Sequence, residues 1–116
     1  MKPKILIVDD EPDICRALEF LLTKEGYDVS SVNSGEDAIE KIKQVSFDVI
    51  VTDIKMGRVD GLGVLEKAKE ISPDTAVIMM TAFASIESAV EAMKRGAADY
   101  IVKPFLNEEI KLTIRR

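Results

Sequence analysis

Five short apolar runs rich in β-branched residues alternate with five amphipathic stretches along this chain, and this alternation constrains its fold more than any other feature. In the innermost runs, such as residues 5–8 and 49–51, apolar side chains stand at successive positions. Such runs are typical of strands that are buried on both faces of a parallel sheet. The pattern predicts strands at residues 4–8, 28–32, 48–52, 76–80 and 99–102.

The amphipathic stretches between these strands have the start and stop signals of helices. Pro12 suits the first turn of the first helix and Gly26 its end. The second helix opens at Ser34, the third follows Gly61, the fourth ends near Gly96, and the last begins at about Leu106. Apolar residues at helical spacing predict the core-facing side: Ile14, Leu18, Leu21, Leu22, Ala38, Ile39, Ile42, Leu62, Leu65, Ala68, Ile86, Ala89, Val90, Met93, Ile110 and Ile114.

Strand–helix alternation with short turns predicts one α/β domain with right-handed crossovers. For five strands, we expect a flavodoxin-like doubly wound (βα)5 fold, with a parallel sheet in the order 2-1-3-4-5 and helices on both faces. The 116 residues suit a single domain over 1–116. Residues 110–116 look helical without a Gly, Asn or Pro stop. We therefore expect this domain to be the N-terminal part of a longer multidomain protein.

Composition excludes several classes of function. A net charge of −5 argues against direct nucleic-acid binding, which needs a basic face. The absence of histidine excludes nucleophiles activated by histidine and zinc sites with nitrogen ligands. No apolar run is long enough to predict a membrane span. Cys15, the single cysteine, is expected to be a small buried residue and fits a reducing, cytoplasmic environment.

Polar residues follow four of the predicted strands at the point where each strand ends. In a doubly wound sheet, the ligand site lies outside the carboxyl ends of the strands, near the reversal of strand order. The sequence therefore brings three aspartates, a hydroxyl and an ammonium group to one edge of the sheet. These strand-end residues are Asp9, Asp10 and Glu11 after the first strand, Asp53 after the third, Thr81 after the fourth and Lys103 after the fifth.

Three aspartates in one pocket repel each other unless a cation neutralises them. Mg²⁺ is the expected cation, because it binds one or two carboxylates together with waters and phosphate oxygens. Asp53, on the central strand, is the expected nucleophile towards phosphorus, forming an aspartyl phosphate. Asp9 and Asp10 are then expected to hold the metal, with the backbone carbonyl of Lys55 completing its ligands.

Lys103 is expected to offset charge on the phosphoryl oxygens, and the Thr81 hydroxyl to donate a hydrogen bond to one of them. Glu11 has two interpretations, a contact to the metal through water or a favourable charge at the start of the first helix. Because the chain has no histidine, any phosphohistidine donor must be another molecule.

The sequence resembles the response-regulator receiver family of two-component signalling over essentially its whole length. The motifs that support this resemblance are Ile5-Leu6-Ile7-Val8-Asp9-Asp10-Glu11-Pro12, Asp48-Val49-Ile50-Val51-Thr52-Asp53-Ile54-Lys55-Met56, Asp60-Gly61, Met80-Thr81-Ala82-Phe83, Gly96-Ala97-Ala98-Asp99-Tyr100 and Lys103-Pro104-Phe105. The resemblance implies that Asp53 accepts a phosphoryl group from a sensor histidine kinase or a histidine phosphotransfer protein. It also implies Mg²⁺ held by Asp10, Asp53 and the Lys55 carbonyl, with Asp9 contacting the metal largely through water.

The resemblance further implies a switch pair, Thr81 and Tyr100, and a phosphate partner, Lys103, followed by a cis peptide to Pro104. We expect the switch to reshape the face formed by the fourth helix, fifth strand and fifth helix, which also suits a homodimer. Met79, Met80, Met93 and Phe83 are expected to line this region and to lie in the core, with exposure of Phe83 to a partner as the alternative. The domain is then a signalling switch that catalyses only its own phosphorylation and dephosphorylation.

Two runs, residues 80–85 and 96–105, resemble receivers of the nitrogen-regulatory type. Such receivers often precede an ATPase module and a DNA-binding module, which implies an output in transcription regulation. One position departs from the family pattern: Met56 is followed by Gly57 where a proline is usual. Since glycine has no fixed φ and keeps its N–H, we expect this loop to be more mobile than usual.

Three other functions remain open from the residues alone. A haloacid-dehalogenase-like phosphohydrolase would need its nucleophile at the end of the first strand and room for a cap. A flavodoxin-like flavin binder would need a neutral phosphate-binding loop where Asp9, Asp10 and Glu11 stand. An interaction module that keeps the receiver fold but acts without phosphorylation also remains open, because Gly57 departs from the family pattern.

Overall fold

A computed structural model describes residues 2–82 and 86–115 of the chain. Five strands, all paired in parallel, form one sheet in the order β2-β1-β3-β4-β5. The predicted doubly wound α/β fold is confirmed. The elements are β1 Lys4–Val8, α1 Pro12–Lys24, β2 Asp28–Val32, α2 Gly35–Gln44, β3 Val49–Asp53, α3 Gly61–Ile71, β4 Ala76–Thr81, α4 Ile86–Lys94, β5 Asp99–Val102 and α5 Asn107–Arg115.

The strand predictions for β1, β2 and β5 are confirmed at both ends. The structure starts β3 one residue later than predicted and includes Asp53 in it, and β4 continues through Thr81. Both extensions follow from backbone pairing, because Asp53 stands opposite Met80 and Thr81 opposite Val102. The Asp53 and Thr81 side chains therefore project from the last paired residues of their strands, where the backbone is held by neighbours on the sheet.

Local sequence signals account for the helix ends. The Ser34 side chain accepts a hydrogen bond from the Asp37 N–H at 3.1 Å and so caps the start of α2. Asp60 caps α3 in the same way, accepting from the Gly63 N–H at 3.0 Å. Just beyond the end of α1, Gly26 has a φ of +96°, in the left-handed region that favours glycine.

Two apolar layers cover the two faces of the sheet. Leu6 and Val8 point into the layer formed with α2, α3 and α4, whereas Ile5 and Ile7 point into the layer formed with α1 and α5. This alternation along β1 explains why its residues are apolar at successive positions. Cys15 lies buried in the second layer, as predicted.

The predicted core face of α4 is partly wrong. Val90 and Met93 are 45% and 48% exposed, although both were expected in the core. The helix packs through Ala92, which is fully buried, and Ala89, which is partly buried one turn earlier. Because these small side chains let the helix backbone come close to the sheet, the larger apolar residues on the adjacent face stay in solvent. The predictions for Phe83 fall outside the described residues.

The remaining methionine predictions are confirmed, since Met79 and Met80 are both fully buried. The peptide bond from Lys103 to Pro104 is cis, as the resemblance implied. Among the helices that the structure describes, none combines the length and the apolar character needed to cross a bilayer.

Candidate functional site

Three aspartates meet at the carboxyl edge of the sheet, beside the central strands. Asp9 directly follows β1 and is completely buried, and Asp53 is the last residue of β3 and is 7% exposed. Asp10 is exposed at the rim. One carboxylate oxygen from each of the three lies within 4.8 Å of the others. The structure thus brings together the three carboxylates that the strand ends predicted.

Lys103 crosses the sheet edge to reach two of these carboxylates. Its Nζ donates a hydrogen bond to Asp9 Oδ2 at 2.7 Å and lies 3.4 Å from Asp53 Oδ2. The Lys103 backbone N–H donates to the Thr81 carbonyl at 2.7 Å, so pairing between β4 and β5 continues up to the lysine. In this arrangement the ammonium group is bound more closely to Asp9 than to the predicted phosphoryl acceptor.

Burial and neighbouring charges shift the ionisation of this cluster. The pKa of Asp53 lies above its ordinary value, chiefly because burial disfavours the charged form, with the Asp9 charge adding to the effect and the Lys103 charge opposing it. For Lys103, burial by itself would lower the pKa. The hydrogen bond and charge of Asp9, together with Asp53, outweigh that effect, and the pKa is raised.

Backbone groups around Asp9 fix its orientation. Asp9 Oδ1 accepts a hydrogen bond from the Glu11 N–H at 2.9 Å. Glu11 is the N-cap residue of α1, and its exposed side chain makes no capping hydrogen bond. Glu11 therefore lies at the start of α1, as one of its two interpretations requires. The side chain is not part of the carboxylate cluster found among the described residues.

Asn33 is a site residue that the sequence analysis missed. Its Nδ2 donates to the Asp9 carbonyl oxygen at 3.0 Å, so it braces the backbone that presents the acidic residues. The buried Cys15 thiol lies against the same carbonyl, with Sγ at 3.5 Å. Asn33 follows the last residue of β2 and so belongs to the same sheet edge as Asp9. Extending the search for polar strand-end residues to the second strand would have found it.

The donor set fits a hard divalent cation. All three side chains offer carboxylate oxygens, and the 4.8 Å limit on their separation is close to the span of about 4 Å between opposite ligands of Mg²⁺. The exposed position of Asp10 leaves one side open to water and phosphate oxygens. Two positive charges from such a cation and one from Lys103 would balance the three carboxylates.

The sequence matches a known protein family, and this match agrees with the site and the fold. The family model described as the response regulator receiver domain matches residues 5–115. The chain belongs to this family. Receiver domains are signalling domains that generally bind Mg²⁺ at an acidic pocket, and in this chain Asp9, Asp10 and Asp53 form an acidic cluster.

A curated relative of this receiver domain is the transcriptional regulatory protein ZraR of Escherichia coli (strain K12). The two are 39% identical over 112 residues, covering 97% of this chain and 25% of ZraR. The receiver domain thus spans about a quarter of the length of that relative.

Solved structures of receiver domains superpose closely on this one. The solution structure of the beryllofluoride-activated NtrC4 receiver domain dimer is 40% identical, with a TM-score of 0.91 over 97% of this chain and 93% of that chain. A response regulator from Burkholderia pseudomallei, with a phosphorylated aspartic acid, a calcium ion and citrate, is 28% identical. It has a TM-score of 0.91 and covers 97% of this chain and 66% of that one.

The two predicted switch residues lie on adjacent strands of the receiver domain. Thr81 ends β4 and is 2% exposed. Tyr100 stands opposite Met79, two pairs before the Thr81–Val102 pair, and Met79 and Thr81 therefore point to the same face of the sheet. Its partly buried ring packs against the core layer that contains α2, α3 and α4. Lys55 is exposed in the loop after β3.

Proposed function

We propose that this receiver domain accepts a phosphoryl group on Asp53 in a reaction that depends on Mg²⁺. The observation that supports this most strongly is the group of three carboxylates within 4.8 Å of each other, with the Lys103 ammonium beside two of them. A cluster with two buried carboxylates is costly to folding, so it is expected where charge is used for chemistry. The Burkholderia pseudomallei relative contains a phosphorylated aspartic acid and a calcium ion, which agrees with this proposal.

In the proposed reaction, a carboxylate oxygen of Asp53 attacks the phosphorus of a phosphohistidine on a sensor histidine kinase or histidine phosphotransfer protein. The new P–O bond forms as the P–N bond breaks, and the electron pair leaves with the donor's imidazole nitrogen. Asp9, Asp10, Asp53 and the carbonyl of Lys55 would hold Mg²⁺. Bound there, the ion supplies positive charge to the phosphoryl oxygens during transfer.

Lys103 and Thr81 would stabilise the phosphoryl group after transfer. The Lys103 ammonium already lies 3.4 Å from Asp53 Oδ2, so a small displacement away from Asp9 lets it pair with a phosphoryl oxygen. Thr81 ends the strand next to β3, and its hydroxyl can donate to a second phosphoryl oxygen. Both residues act by positioning and charge stabilisation.

The signal would leave the site through Thr81 and Tyr100. If Thr81 moves towards the phosphoryl group, the Tyr100 ring gains room, and the population shifts towards a second arrangement of α4, β5 and α5. That face presents apolar side chains to solvent, which suits a partner or a second copy of the domain. These exposed residues are Val90, Met93, Val102, Leu106 and Leu112. The activated NtrC4 receiver is a dimer, which supports the homodimer proposal.

The output is proposed to be transcription regulation, through ATPase and DNA-binding modules of a longer cytoplasmic protein of which this domain is the N-terminal part. The similarity to ZraR, a transcriptional regulatory protein in which this domain matches only a quarter of the length, supports that arrangement. The domain would act as a switch that catalyses only its own phosphorylation and dephosphorylation.

The deciding experiment is intact-mass analysis after incubation with Mg²⁺ and acetyl phosphate. The wild type is expected to gain one phosphoryl group, and EDTA or Asp53→Asn to abolish the gain. Asp28→Asn is a matched control, because Asp28 begins β2 at the opposite edge of the sheet and should not affect the reaction. No adduct on the wild type, with beryllofluoride also failing to bind, would instead support a phosphorylation-independent interaction module.

A further inference from the structure

The loop between β3 and α3, residues 54–60, begins directly after Asp53 and includes Lys55. The far end of the loop returns to the end of β3, where the Gly61 N–H donates to the Ile54 carbonyl at 2.8 Å. A Cβ at Gly61 would overlap the Asp53 carbonyl oxygen and lie 2.8 Å from the Ile54 Cα. Both ends of the loop are therefore fixed against the backbone of the proposed phosphoryl acceptor.

A contact to a different helix also fixes the loop, close to its far end. Val59 packs against Gly35, the buried first residue of α2, so closely that a Cβ at Gly35 would overlap the Val59 carbonyl oxygen. The same Cβ would lie 2.8 Å from both Val59 Cβ and Val59 Cγ1. Val59 is partly buried and packs against the core layer with Met56. The loop thus rests on α2 through one valine and one glycine.

Gly57, the position where the family pattern has proline, makes no comparable contact. A Cβ placed there would meet nothing within 4 Å. Its φ is also outside the positive region, which among the described glycines is occupied only by Gly26 and Gly96. The restraint on the loop therefore comes from Val59 and not from position 57.

We propose that Gly35 is a positioning residue for the metal site. By leaving room for Val59, it holds the loop at the position from which Lys55 presents its carbonyl to Mg²⁺. The role of Lys55 rests on the proposed function, whereas the contact between Gly35 and Val59 is a property of the fold. A side chain at position 35 would push on a carbonyl and a Cβ, which cannot move without displacing the loop backbone only four residues from Lys55.

Helix propensity acts in the opposite direction to this steric effect. Alanine is a better helix former than glycine, so helix propensity by itself would make Gly35→Ala favour α2. A loss of Mg²⁺ affinity in this variant would therefore come from displacement of Val59. Val59→Ala tests the same contact from the other side, because it shortens the side chain without introducing a clash. Gly57→Ala is the matched control in the same loop.

The experiment is a Mg²⁺ titration in which amide chemical shifts measure binding and also show that each variant is folded. Phosphorylation by acetyl phosphate is measured on the same variants. Gly35→Ala is expected to raise the Mg²⁺ dissociation constant about tenfold, the usual effect of losing a residue that orients metal ligands. Val59→Ala is expected to change it in the same direction by a smaller factor. Gly57→Ala should leave both Mg²⁺ affinity and phosphorylation rate unchanged.

Unchanged Mg²⁺ affinity in folded Gly35→Ala and Val59→Ala, beside a wild type that is phosphorylated, would overturn the positioning role and leave the proposed function standing. The reverse result, weaker Mg²⁺ binding in both variants of a domain that takes no phosphoryl group, would support the positioning role and refute the proposed function. A wild type that does not bind Mg²⁺ contradicts both.

Discussion

Replacing Lys103 by methionine tests the electrostatic account of the site. Lys103 is the only cation hydrogen-bonded to Asp9 among the contacts that the structure describes, and Asp9 is completely buried. Methionine keeps most of the apolar stem of lysine but removes the charge. In the absence of divalent cations, the variant therefore leaves two buried carboxylates without their shared ammonium group.

The distances set the size of the effect. With an effective dielectric constant near 20, the attractions across 2.7 Å to Asp9 and 3.4 Å to Asp53 are about 6 and 5 kcal/mol. Most of this is offset by the desolvation of all three groups, and breaking a buried ion pair costs about 3–5 kcal/mol in practice. We expect a loss of about 3 kcal/mol in the free energy of unfolding, since Asp53 can relieve part of the strain by taking a proton.

Urea denaturation in EDTA at neutral pH, followed by circular dichroism, measures this loss. Lys67→Met is the matched control, because Lys67 makes an exposed ion pair with Glu70 at 3.6 Å. That substitution should change the free energy of unfolding by less than about 1 kcal/mol. Saturating Mg²⁺ should restore much of the stability of the Lys103 variant, because a cation that binds only the folded state stabilises it by mass action.

The pH dependence gives a second check. The pKa of Asp53 is already raised in the folded state, so folding takes up a proton and stability falls as pH rises through this pKa. Loss of Lys103 removes a charge that lowers the Asp53 pKa, which raises it further. The deficit of the variant should therefore shrink as pH is lowered. A deficit no larger than that of Lys67→Met, or one that grows on acidification, would refute this reasoning.

Two further predictions concern the fold. Thr75→Val removes a buried hydroxyl that donates to the Phe47 carbonyl at 2.6 Å. In urea denaturation, the variant should show a free energy of unfolding lower by about 1–3 kcal/mol. An unchanged midpoint would show that the hydrogen bond does not stabilise the fold. Gly26→Ala forces a Cβ into a φ of +96° and should cost about 1–2 kcal/mol, measured as a lower melting temperature. A stabilised alanine variant would contradict the strain argument.

Much of the fold could be predicted because its signals are local. The apolar runs and the capping residues Ser34 and Asp60 act through their immediate neighbours, and three of the five strands match their predicted limits. The convergence of Asp9, Asp53 and Lys103 could also be predicted. It requires only that parallel strands end at the same edge of one sheet.

Other features depend on how closely two distant segments approach each other. The wrong prediction for Val90 and Met93 arose because an apolar stripe on α4 does not show which part of it meets the sheet. The preference of Lys103 for Asp9 over Asp53 is a difference between 2.7 and 3.4 Å, which no spacing in the sequence encodes.

The sequence by itself therefore determined which residues reach the carboxyl edge of the sheet, because the strands and their ends follow from local patterns of apolar and polar residues. The tertiary structure decided how those residues are held. Two contacts join segments that are far apart in the chain. They are the hydrogen bond from Asn33 to the Asp9 carbonyl and the close packing of Val59 on Gly35. Such contacts depend on the relative placement of whole elements, which is set by packing of the complete core and not by any local pattern.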